Sequence, residues 1–215
     1  MKRRLASTIS AIVLVAAGLI AEPVAAAAEP MQDVDYVLIA PQPTPPGKIE
    51  VIEFFFYGCE SCSRLEPRLQ DWLKQLPADV EFRRIPAIRR TAWAQLTRLY
   101  YALEELGEID RLHASIYRAI HEVGLNLAYS SDRAEWARNA GIDPDKLEQL
   151  IESDGVQVQL QRARDTTVAY GIRATPSFVV DGKYLTSGGT VGALDAVLPV
   201  VDGLIEKARA TKAAK

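Results

Sequence analysis

Lys48-Ile49-Glu50-Val51-Ile52-Glu53-Phe54-Phe55-Phe56-Tyr57-Gly58-Cys59-Glu60-Ser61-Cys62 decides how this chain is read. The first ten residues form a nearly continuous apolar, β-branched and aromatic run. Such a run fits a central strand buried on both faces. After it, Leu65, Leu69, Trp72, Leu73 and Leu76 recur at helical spacing, with Pro67 expected to kink the helix. The two cysteines stand where strand gives way to helix. Positions i and i+3 of a helix share a face, which brings the two sulfurs within bonding reach. The chain has 2 cysteines in all. This pair therefore closes on itself or on another molecule.

The N-terminus sets the redox context. Lys2, Arg3 and Arg4 precede an apolar stretch from Leu5 to about Ala21, and Ala25-Ala26-Ala27-Ala28 offers small-residue cleavage sites. Residues 1–28 read as a secretory signal peptide that is removed. The competing reading is an uncleaved membrane anchor. The whole chain has a formal net charge of −3. With no basic tract, nucleic acid is not an expected partner. Exported cysteines usually form structural disulfides. A structural bridge, however, stabilises chiefly by closing a long loop. Cys59 and Cys62 enclose only Glu60 and Ser61, so the pair is expected to be reactive.

Elsewhere, Tyr36 to Ile39 is a possible first strand and Val80 to Ile85 a further one. From Thr91 to about Ala169 the pattern is helical. One helix carries Trp93, Leu96, Leu99, Tyr100 and Leu103. The next runs from Ile109 towards Gly124. Ser131 is the expected N-cap of a third, Asp143-Pro144 opens a fourth, and Gln157 to Tyr170 makes a fifth. Ser177 to Leu185 reads as a hairpin turned by Asp181-Gly182 in two residues. Val191 to about Lys207 is the closing helix, followed by a frayed tail to Lys215. The expected fold class is α/β: residues 29–90 and 170–215 form a domain with one mixed sheet, and 91–169 form an inserted helical domain.

Strand, Cys-x-x-Cys, helix is the redox signature of the thioredoxin-like fold. Cys59 would lie at a helix N-terminus, where free N–H groups and the dipole favour its thiolate, the nucleophile of disulfide exchange. Cys62, one turn inside, would resolve mixed disulfides. Gly171-Ile172-Arg173-Ala174-Thr175-Pro176-Ser177-Phe178 then puts a proline at a strand start, where proline is tolerated and a cis bond makes a fixed bend.

These motifs in this order resemble the DsbA family of periplasmic thiol:disulfide interchange proteins. The likeness rests on Glu53 to Cys62, Leu65-Glu66-Pro67, the helical insertion, Thr175-Pro176-Ser177-Phe178 and Asp181-Gly182-Lys183-Tyr184. It covers about residues 33 to 209. The resemblance implies that Cys59 is the nucleophile and Cys62 its partner. It implies that Thr175 and a cis Pro176 face the disulfide and hold substrate backbone. It implies a periplasmic location, reduced or unfolded exported polypeptides as substrates, and reoxidation by a DsbB-like, quinone-linked membrane protein. No organic cofactor is expected; the disulfide itself is the redox group. It also singles out Glu53 as a buried carboxylate under the site, able to take a proton from Cys62. The bland alternative is a strand-end glutamate reaching solvent.

The chain departs from the family between the cysteines. The usual Pro-His is replaced by Glu60-Ser61. A helpful histidine is absent and a negative charge is added, so a less oxidising disulfide is expected. An isomerase or reductase of the same fold is therefore an alternative, as is, in a different class, a chaperone or binding module with an incidental cysteine pair. His113 and His121 are the 2 histidines. Their spacing to the cysteines does not match a zinc finger, so no metal is expected, and both read as helix-surface residues. Trp72 and Trp93 read as core. Arg83, Arg84, Arg89 and Arg90 read as a solvated basic face that could favour acidic substrates.

Overall fold

The computed structural model describes residues 29–214; the expected signal peptide, 1–28, lies outside the described residues, as does Lys215. In chain order the elements are β1 (Val37–Leu38), β2 (Ile49–Phe55), α1 (Glu60–Leu73), β3 (Val80–Pro86), α2 (Ala94–Glu105), α3 (Ile109–Arg118), α4 (Ser130–Asn139), α5 (Pro144–Ile151), α6 (Asp154–Ala169), β4 (Ser177–Val180), β5 (Tyr184–Ser187) and α7 (Val197–Ala213). One sheet carries all five strands in the order β1-β5-β4-β2-β3. β2 runs parallel to β3 and antiparallel to β4. This is a thioredoxin-like mixed sheet with helices inserted between β3 and β4.

β2 is central and buried along its whole length, as its apolar run requires. On one side Ile52, Phe54, Phe55 and Tyr57 pack with Leu99, Leu103, Ile116 and Leu160 of the helical block. In a second cluster Ile49, Val51, Phe178 and Val180 pack with Leu65 and Leu69 of α1 and Val201 and Leu204 of α7. Each such side chain contributes about 1.5–3 kcal/mol on burial. These two layers hold the end of β2, and therefore the cysteines, in place.

Several boundaries differ from the sequence reading, each for a local reason. α4 begins at Ser130, capped at Tyr129, so Ser131 lies in the first turn and its hydroxyl bonds Asp132. α6 starts at Asp154 because Ser153 caps it, accepting from Val156 N at 3.2 Å. The β4–β5 connection has three residues, not two. Asp181 and Gly182 both have positive φ and Lys183 N bonds Val180 O, but Lys183 then turns its carbonyl to Ile39 N. α7 begins at Val197, later than Val191, because Gly188 to Gly192 is spent on a turn closed by Thr190 N to Ser187 O. The tail is helical through Ala213. Lys212 pairs with Asp181 and Arg209 with Asp79, which ties the last turns to the sheet.

Candidate active site

Cys59 caps α1 with an extended backbone, and its sulfur accepts from Cys62 N at 3.4 Å. Gly58 precedes it for a steric reason. A Cβ there would lie 2.6 Å from the Phe56 ring, which is stacked on Trp93 at 3.9 Å and cannot easily move. Cys59 is partly exposed and Cys62 is 1% exposed. Both are free thiols. The Thr175–Pro176 bond is cis, and the Thr175 carbonyl lies 3.2 Å from Cys59 Sγ. The cysteine pair and the Thr-Pro turn, 116 residues apart in sequence, thus form one surface. Beside them is a hollow of about 210 Å³, lined by Ser61, Thr175, Pro176, Gly188, Gly189 and Leu194 among others. Nothing in the sequence reading pointed to the glycine turn; adjacency to β5 brings it here.

The two thiols are electrostatically unlike. Cys59 is lowered from 9.0 to about 6. The Cys62 thiol's hydrogen bond to its sulfur is the largest cause; Thr175 and the N–H groups of Cys62 and Ser61 add to it, against desolvation. Cys62 is raised well above 9.0, first by burial and then by sharing its proton with Cys59. Glu60 does not oppose this from within the site: its side chain is 78% exposed and lies 3.9 Å from Arg64.

Beneath the pair is a cluster of buried polar groups. Glu53 is fully buried, not at a wet strand end. The β2–β3 register sets it beside Arg84, whose Nε donates to Glu53 Oε2 at 3.0 Å. The other arm of Arg84 donates to both oxygens of Glu66 in α1, at 3.3 and 3.2 Å. Expected on a solvated basic face, Arg84 is instead only 12% exposed, drawn inward by carboxylates from two elements. Glu66 also accepts from Gln70 at 2.6 Å. His113 is buried too, contrary to the surface reading, and its Nδ1 lies 2.8 Å from the Tyr57 hydroxyl. We assign a neutral ring, with burial and then Arg84 holding its pKa low. The Tyr57 O–H then donates to Nδ1, and Nε2–H faces Glu66 at 3.5 Å. His121 is half-buried and its Nε2 donates to the Tyr57 carbonyl at 2.7 Å, bracing the strand end just before Cys59.

One arginine between two buried carboxylates leaves an excess negative charge if both ionise. Glu53 carries the cost: burial first, then Glu66 and Cys59, raise it from 4.5 to about 7 against Arg84. Burial also works to raise Glu66, but its hydrogen bonds and nearby positive charge outweigh this and hold it below its usual value. The Nε2–H of His113, together with Arg84 and Gln70, stabilises the Glu66 anion. Glu66 and Arg84 had a sequence signal, since each sits in an apolar context (Leu65-Glu66, Arg84-Ile85), but only the register and the helix face join them. Among the described residues no group of three or more His, Cys, Asp or Glu is arranged to hold a metal ion.

The DSBA-like thioredoxin domain family model matches residues 62–196. A thiol:disulfide interchange protein DsbA of Azotobacter vinelandii is 39% identical over 167 residues, covering 78% of this chain and 78% of that protein. The protein of the same name from Bordetella parapertussis is 40% identical over 178 residues, covering 81% of this chain and 84% of the other. The crystal structure of Pseudomonas aeruginosa DsbA superposes with a TM-score of 0.80 at 35% identity, covering 86% of this chain and 97% of that one. The oxidoreductase DsbA from Xylella fastidiosa gives 0.75 at 31% identity, over 82% and 96%.

Proposed function

This chain belongs to the DSBA-like thioredoxin domain family and is a thiol:disulfide oxidoreductase, and we propose that it is exported and donates a Cys59–Cys62 disulfide to reduced polypeptides. The opposed pKa shifts of the two cysteines carry this reading. A sulfur held as thiolate near neutral pH stabilises the reduced enzyme, and so makes its disulfide a better oxidant.

A substrate thiolate attacks Cys59, the exposed sulfur of the pair. The Cys59–Cys62 bond breaks and its electron pair leaves on Cys62. That sulfur is a poor leaving group as a bare anion, because its pKa is raised. Glu53, protonated up to about pH 7, supplies the proton. The second substrate thiolate then attacks the substrate sulfur of the mixed disulfide. Cys59 leaves as a stabilised thiolate. The substrate has lost two electrons and two protons; the enzyme holds the electrons, one of the protons restores the one that Glu53 gave to Cys62, and the other goes to solvent. Thr175 and Pro176 hold the substrate backbone beside Cys59. Glu60 and Ser61 form the outer rim of the site.

The basic n-region, apolar stretch and alanine tract of residues 1–28 support export to the periplasm, and the family supports reoxidation by a DsbB-like quinone-linked membrane partner. The test combines trapping with a potential. Cys62→Ser should accumulate mixed disulfides with reduced exported proteins through Cys59, and Cys59→Ser none. Equilibration with glutathione should leave the enzyme mostly reduced. Absence of Cys59 adducts sinks the mechanism; an enzyme that keeps its disulfide under these conditions is a reductase, not a donor.

A further inference from the structure

The buried or half-buried Arg84, Arg133 and Arg209 hold carboxylates, Glu53 and Glu66, Glu148, and Asp79 respectively, and the exposed Arg83 holds the buried Glu50. Several exposed arginines hold none among the described residues, and four of these, Arg89, Arg90, Arg164 and Arg173, lie together. They come from three separate segments and meet over two adjoining depressions. One, of about 280 Å³, is lined by Ile88, Arg89, Arg90, Thr91 and Arg164. The other, of about 270 Å³, has Ile88, Arg89, Val168 and Arg173 in its wall. Arg89 and Ile88 line both. Ile88 N donates to Thr167 Oγ1 at 3.2 Å, which fixes the Arg89-Arg90 loop against α6. The nearest acidic residue in sequence, Asp165, accepts from Gln161 at 2.8 Å. This surface leads directly to the exchange site, since Arg173 is two residues from Thr175, whose carbonyl is 3.2 Å from Cys59 Sγ.

We propose that these four arginines form a docking surface for acidic segments flanking the cysteines of reduced polypeptide substrates. The inference rests on the disulfide-donor reading and deepens it by naming a substrate class. Charge complementarity selects the occupant. The chain as a whole is acidic, −3, so an acidic polypeptide is repelled by the average surface and drawn in here, which orients it as well as binding it. Each guanidinium fork can hold the two oxygens of one carboxylate. The exposed aliphatic Val168 and the buried Ile88 between the arginines favour an aliphatic residue among the acids. An extended segment advances about 3.3 Å per residue, so positions a few residues from the reacting cysteine reach Arg173, two residues from Thr175 in sequence.

The test uses the mature protein and three two-cysteine peptides that differ only in their flanks: Asp/Glu, Gln or Lys. The readout is the ratio of oxidation rates, which does not depend on how much enzyme is active. At low salt the acidic peptide should be oxidised roughly tenfold faster than the basic one, and the ratio should fall towards one at about 0.5 M salt. The double variant Arg89→Glu/Arg173→Glu should reverse the low-salt ratio. Equal rates for all three peptides, or a preference that this variant leaves in place, would overturn the proposal while leaving the donor reading intact. Failure to oxidise even the Gln-flanked peptide would instead sink the donor reading, and this inference with it. If charge makes no difference to the peptides but anionic-lipid vesicles retain the protein through these arginines, the surface is a membrane contact and the proposal is wrong.

Discussion

The cysteine pair has two sides, and they are built differently. The outer side carries Glu60 and Ser61, solvent-facing residues whose one charge is screened and loosely held by Arg64. The inner side carries Glu53, Arg84, Glu66, His113 and Tyr57, buried or nearly so and in polar contact at 2.8 to 3.5 Å. Charges interact far more strongly where water is excluded. The dipeptide between the cysteines is the visible departure from the family, yet the inner side has greater leverage over proton movement. Being dry also makes it brittle, because every member depends on its neighbours.

The largest effect should come from Arg84→Met. It removes the cation shared by two buried carboxylates, and removing one partner of a buried pair costs about 3–5 kcal/mol. Urea unfolding at neutral pH measures this. A loss under about 1 kcal/mol, the range of exposed pairs, would erase the distinction between the two sides.

Next comes Glu53→Gln. In the folded protein Glu53 has its pKa raised from 4.5 to about 7. Between those values the native state holds a proton that the unfolded chain has lost, so this group makes stability fall as pH rises across the window. Below about 4.5 its effect is absent and above about 7 it is complete. The Gln variant should therefore gain on the parent between pH 4.5 and 7 in urea titrations, provided the amide is accommodated beside Arg84. The first exchange step should also lose its dependence on a group near pH 7, measured by stopped-flow fluorescence. A pH profile unchanged in both readouts would remove Glu53 from proton transfer.

The smallest effect belongs to the outer side. Glu60→Gln should move the Cys59 thiolate titration, followed by absorbance at 240 nm and centred near pH 6 in the parent, by no more than about half a pH unit, the scale of an exposed charge. A larger downward shift would mean that Glu60 governs the site and that the screened picture is mistaken.

Much of this architecture can be read from periodicity. The β2 run, the spacing of Leu65 and Leu69, and the Asp143-Pro144 start each follow from local chemistry, and Asp143 does cap α5 through Asp145 N and Lys146 N. Boundaries shift where the chain carries a second local signal. Ser153 outcompeted Gln157 as a helix start, and the glycine turn after β5 delayed α7. The partners that hold His113 inside are not in its own helix: its hydrogen bond goes to Tyr57, 56 positions away.

The sequence alone determined the reaction class: a buried strand running into Cys59-x-x-Cys62, a later Thr175-Pro176, and helices between them. Those are local patterns, and local patterns survive in one dimension. Which charges are dry was decided only by the tertiary structure. Parallel register put Arg84 beside Glu53, the face of α1 brought Glu66 to the same arginine, and the bend after α6 carried Arg173 to the edge of the exchange site beside Arg89. Burial and charge pairing are sums over neighbours distant in the chain, so their consequences for pKa appear only once the chain has folded.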